Sequence, residues 1–133
     1  NQANWHYVDC LTGSIVSYPH GIPLINLSSS AYQGGVYSPI QDRIYFAPYV
    51  QSSWTDWHYI DCNTGNVVAY AHGLSSVPLY TNGYNCGTYS PKQRRIYFIP
   101  YQNGLSTDWH YIQELVGNIP SLSLMSGPMF NKF

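Results

Sequence analysis

Along residues 57–62 the bulky positions fall into two sets. Trp57, Tyr59 and Asp61 share one face of an extended chain, and His58, Ile60 and Cys62 share the other. The run 95–101 is built the same way, with Ile96, Phe98 and Pro100 opposite Tyr97, Ile99 and Tyr101. A strand that is bulky on both sides fits between two other layers better than on a one-sided open sheet. Four such runs follow one another, roughly Val36–Ser38, Arg43–Tyr49, Trp57–Cys62 and Asn66–Ala71, dominated by Tyr, Ile, Phe, Val and Trp. No stretch sustains apolar residues at helical spacing, so the expected fold class is all-β.

The pattern is periodic. Trp-His-Tyr occurs at Trp5, Trp57 and Trp109, at a constant interval of 52 residues. Segments 5–56 and 57–108 align without a gap and are identical at half of their positions. A period of this order marks tandem supersecondary units. The chain is therefore read as one repeat domain, 1–133, made of units 5–56 and 57–108 and a partial unit 109–133. Two and a half four-stranded antiparallel blades close no ring within a single chain.

Turn chemistry supports the strand assignment. Ser38-Pro39 and Ser90-Pro91 put proline where its fixed φ suits a type I turn. Asp61-Cys62-Asn63-Thr64-Gly65 ends a strand and supplies glycine where positive φ is expected, giving a bulged hairpin. Gly13 and Gly117 occupy the same place in the other copies. The third copy has exchanged Asp and Cys for Gln113 and Glu114 but keeps this glycine, which favours a structural role for the motif.

These residues carry a resemblance. Ser38-Pro39, Arg43–Phe46, Ile60-Asp61, Thr64-Gly65 and Val67-Val68, with counterparts at Ser90-Pro91, Arg95–Phe98, Asp9 and Thr12-Gly13, are similar to the YVTN and kelch-like β-propeller repeats. The likeness extends to about Asn118. The WHYIDC variant looks like repeats in proteins of large DNA viruses, phages and environmental microbes. The resemblance implies a four-stranded antiparallel blade and implies no activity, because propellers host many unrelated functions. The chain departs from the family in lacking the four or more blades that closure requires.

Composition narrows the function classes. Charged residues are 8% of the chain, against roughly 25% in ordinary soluble domains, while aromatics reach 17% with 14 Tyr. A formal charge of −1 leaves no basic footprint for nucleic acid. No apolar run approaches the ~18 residues of a membrane span. So few charges suit a subunit packed against neighbours. Three arrangements remain open: a piece of a longer array, half-units completed by neighbouring subunits through exposed edges, or a compact trefoil-like or sandwich monomer.

Candidate chemistry is sparse. His6, His58 and His110 are repeat equivalents, as are His20 and His72. Three imidazoles meeting on one axis would hold a metal. The spacing favours core or inter-blade histidines bonded to backbone carbonyls, and neither metal nor cofactor is expected. Arg43 and Arg95 begin strands and are expected to pair with turn aspartates such as Asp61. Cys10, Cys62 and Cys86 read as small buried side chains, with a disulfide as the other option. Asn26-Leu27-Ser28 is the only glycosylation sequon. No catalytic residue is assigned: there is no nucleophile elbow and no phosphate-cradling glycine loop. Trp54 and Tyr101 are the aromatics expected to face solvent and stack on sugars. Trp5, Trp57 and Trp109 are read as inter-sheet packing groups.

The expected function is a non-enzymatic structural or surface protein, part of an extracellular or virion assembly. Its expected partners are copies of itself or the rest of a longer repeat protein. A glycan-binding repeat module is the alternative. A propeller enzyme such as a lactonase ranks last, because its active site is built from a completed ring.

Overall fold

The computed structural model describes residues 4–22, 27–72, 81–102, 109–114 and 124–127. The described residues form ten strands in chain order: β1 (Asn4–Val8), β2 (Ile15–Pro19), β3 (Tyr32–Ser38), β4 (Arg43–Pro48), β5 (Asp56–Asp61), β6 (Val67–Ala71), β7 (Tyr84–Ser90), β8 (Arg95–Pro100), β9 (Trp109–Gln113) and β10 (Leu124–Gly127). They make three antiparallel sheets: the pair β1-β2, the blade β3-β4-β5-β6, and the blade β7-β8-β9-β10. The expected all-β class is what the chain adopts, and the array is not closed. The blades straddle the sequence repeat, since β5 and β6 open the unit that begins at Trp57 but complete the sheet begun by β3. By the same 52-residue offset, β1 and β2 correspond to β5 and β6.

Three of the four expected runs match β4, β5 and β6 to within one residue at each end. The fourth, β3, starts at Tyr32 rather than Val36, because the pairing with β4 shifts register between Tyr32 and Gly35. Gly34 absorbs that bulge at φ 144°, a backbone conformation that only glycine adopts easily. β7 is bulged at the same place, between Tyr84 and Cys86. A short 3-10 turn, Val50–Ser53, follows β4. It buries Gln51, whose side-chain oxygen accepts from the Ser28 backbone N–H (3.0 Å) and whose amide donates to the Asp56 carbonyl (3.2 Å).

The glycine turns fold as the sequence predicts. The Gly13 and Gly65 N–H groups each donate to the carbonyl of the aspartate four residues earlier, at 2.7 Å, with φ of 72° and 73°. Asp9 and Asp61 also accept from the backbone N–H groups two and three residues on. Gly117 lies outside the described residues. The strand pairings on either side of it differ from those around Gly65, because Ile60 pairs with Val67, seven residues on, whereas Ile112 pairs with Leu124, twelve residues on.

The core lies between the two complete blades. Val36, Tyr45, Ala47, Trp57 and Tyr59 from the first pack on Tyr84, Ile96, Phe98 and Ile112 from the second, all of them buried. The fit is close enough that a methyl group at Gly87 would sit 2.7 Å from Val36 Cγ2. Aromatic rings interleave across this boundary, with Trp57 edge-on to both Phe98 and Tyr84.

Candidate functional site

Repeat-equivalent side chains build the same local structure in each copy. Arg43 lies over the Tyr59 ring and Arg95 over Tyr111, both 4.4 Å from the ring centre. Each guanidinium also donates to a tyrosine hydroxyl, Arg43 to Tyr45 and Arg95 to Tyr97. Tyrosines supply the closest contacts of both guanidinium groups. Arg43 stands opposite Asp61 in the register and is attracted by its charge, and Arg95 donates at 2.7 Å to Gln113, which has taken the aspartate's place.

Two histidines depart from expectation in the same way. His58 and His110 are buried, and the Nδ1 of each is hydrogen-bonded to the hydroxyl of a tyrosine 26 residues earlier, Tyr32 and Tyr84 respectively. The recurrence of tyrosine at that offset in both copies was a readable signal. Burial lowers the pKa of His58, and of His72, below 6.5 and raises that of the Tyr32 hydroxyl. His72 does donate to a backbone carbonyl, that of Trp54, as expected. His6, the third equivalent, is exposed. The described residues contain no group of three or more His, Cys, Asp or Glu side chains placed to hold a metal.

The cysteines are not buried. Cys10, Cys62 and Cys86 are free thiols on exposed residues, Cys10 and Cys62 on turns and Cys86 at the bulge of β7. Glu114, which follows β9 at the position of Cys62, takes up an inter-blade role instead. Its buried carboxylate accepts from the hydroxyls of Ser38 on the neighbouring blade and of Tyr89 (2.8 Å) on its own. Sequence reading registered this exchange only as a loss.

The aromatic candidates for ligand binding are both exposed, Trp54 by 37% and Tyr101 by 59%. They follow β4 and β8 at the same end of adjacent blades, and the Tyr101 ring lies 6.0 Å from that of Tyr49. The loop beside Trp54 is less open than its composition suggests. Ser52 is buried and its hydroxyl accepts from the Gly83 N–H at 3.1 Å, tying the two blades together. Asn26 lies outside the described residues.

The three Trp-His-Tyr strands differ sharply in burial. Tyr59 in β5 is 8% exposed, whereas its equivalent Tyr7 in β1 is 52% exposed; Ile112 in β9 is fully buried, whereas Val8 is 58% exposed. Pairing accounts for part of this, since β5 and β9 each lie between two strands while β1 pairs only with β2 among the described residues, and Ile112 is covered in addition by the first blade. Its other edge borders a cleft of about 730 Å³ between the β1-β2 pair and the first complete blade. Trp5 spans the remaining contact, stacking on His20 at 4.8 Å and meeting Phe46 edge-on.

Among the described residues no helix is long and apolar enough to cross a membrane. No protein-family model, no characterised protein and no solved structure matches this chain.

Proposed function

We propose that this chain is a non-enzymatic structural repeat protein whose blades stack against further repeats, as a subunit or segment of an extracellular or virion assembly of the YVTN/kelch-like type. The observation that carries this reading is that positions buried at the inner blade boundary are open at both ends of the array. Ala47 is fully buried where the two blades meet, while its equivalent Ile99 on the outer blade is 40% exposed. At the opposite end Val8 is 58% exposed, where its equivalent Ile112 is fully buried against the preceding blade. A face that is apolar, repetitive and uncovered is a surface for another copy of the same packing. The low charge of the chain leaves little repulsion to oppose it.

Sedimentation over a wide concentration range tests the proposal. Association is expected above the 15.1 kDa monomer, and Ile99→Lys should weaken it. A monomer at every concentration, or association indifferent to Ile99→Lys, would count against self-stacking.

A second reading rests on the exposed rings of Trp54 and Tyr101, which offer apolar faces with polar edges suited to a sugar. Binding on a glycan array that disappears in Trp54→Ala would favour a lectin-like module over a purely structural one.

A further inference from the structure

We infer that the edge of β1, which is open among the described residues, and the cleft beside it form a docking site for a β-hairpin of the repeat's own type, supplied by another repeat-bearing polypeptide. This deepens the assembly reading above and rests on it. The chain supplies its own control. At the inner boundary, Gly87, Ile96, Phe98 and Ile112 are covered by the β3-β4 hairpin of the preceding blade, which contributes Val36, Tyr45 and Ala47. One repeat earlier the equivalents Gly35, Ile44, Phe46 and Ile60 line the cleft, together with Trp5 and His6. None of these four is fully covered, whereas Ile96, Phe98 and Ile112 are.

The position left open among the described residues is thus defined by a filled one. A hairpin placed there would extend β1 as β4 extends β5, with antiparallel backbone hydrogen bonds along the edge. A small or β-branched residue in the place of Val36 would face Gly35, whose lack of a side chain leaves the room. A tyrosine 26 positions before His6 would cap its imidazole, as Tyr32 caps His58 and Tyr84 caps His110.

A second copy of this chain is the weaker occupant. Both of its hairpins of this type, β3-β4 and β7-β8, are already paired within their own blades, and each would have to be pulled from a sheet to be donated. The recognised chemistry is therefore a free Gly-x-Tyr-Ser-Pro-x-Gln-x-Arg-Ile-Tyr-Phe hairpin with aromatic and small side chains on its inner face.

The test joins an additional copy of residues 27–55 directly before Asn4 of the full chain, which restores the 52-residue spacing. Amide exchange at Trp5–Val8 is then expected to slow by roughly tenfold or more relative to the unextended chain. Val36→Arg confined to the added copy should abolish the effect. Unchanged exchange at Trp5–Val8, with β5 and β8 still protected, would overturn the inference. If the extended chain fails to fold, the free 27–55 peptide titrated into the unmodified chain decides: shifted Trp5 and Phe46 resonances support docking, and none at millimolar peptide overturns it. Concentration-dependent protection of β1 in the unextended chain would assign the edge to a second copy and overturn it equally. Self-stacking through Ile99 is read by sedimentation, so either proposal can fail without the other.

Discussion

Trp57 and Phe98 meet edge to face across the blade boundary, with ring centres 5.6 Å apart and planes at 86°. Fifty-two residues earlier, Trp5 and Phe46 meet at 5.1 Å and 89°. Each tryptophan also stacks at 35° on a histidine fifteen residues later, Trp5 on His20 and Trp57 on His72. The repeat therefore copies an interface as well as a strand pattern. The two versions differ in how much surrounds them: Trp57 is fully buried, and Trp5 is half-buried beside the cleft.

That difference sets the first prediction. Truncating a fully buried Trp costs about 3–5 kcal/mol, from lost transfer energy and the cavity left behind. Trp57→Ala should lose stability on that scale by denaturant unfolding, and Trp5→Ala distinctly less. Equal losses would mean that the β1-β2 pair is packed as fully as a complete blade.

The second prediction concerns two equivalent glycines. A methyl at Gly87 meets Val36 Cγ2 at 2.7 Å and the Tyr97 carbonyl at 3.1 Å, whereas at Gly35 the tightest contact is Ile44 Cγ2 at 3.0 Å. Overpacking costs about 1–3 kcal/mol, so Gly87→Ala should be the more destabilising of the pair in thermal melts. Val36→Ala should partly rescue Gly87→Ala and should have no such effect on Gly35→Ala.

Much of the architecture was legible because its signals are local. The two-sided parity of Trp57–Cys62, the prolines after Ser38 and Ser90, and the glycine after Thr64 each act within a few residues. The bulge that lets β3 begin at Tyr32 was hidden by Gln33-Gly34-Gly35, whose composition weakens the strand signal. The positive φ of Arg94 (53°) at the end of its Ser-Pro turn was equally unmarked by residue type, although aspartate at the equivalent Asp42 (52°) tolerates that conformation. Long-range partners were the least visible. Pairing of Arg43 with the Tyr59 ring and of Glu114 with Ser38 depends on which faces meet, and parity along one strand does not specify that. The cysteines were misplaced because Cys10 and Cys62 lie on turns, where the apolar-core prior does not apply.

The third prediction follows from the buried histidines. Burial lowers the folded-state pKa of His58 and His72 below the ordinary 6.5, so the unfolded chain binds their protons more readily. Their contribution to stability is complete above pH 6.5 and is lost as pH falls through the lowered folded-state values. The melting temperature should drop between pH 7.5 and pH 5, and His72→Gln should make the drop shallower. A melting temperature that rises on acidification would contradict the burial of these rings.

The account rests on one interface being made twice. Through-space proton contacts between the Trp5 indole and the Phe46 ring, compared with those between Trp57 and Phe98, probe it most directly. Both sets should appear, in the same edge-to-face pattern. Contacts for Trp57 without any between Trp5 and Phe46 would contradict it, because the β1-β2 pair would then not stack as a copy of β5-β6.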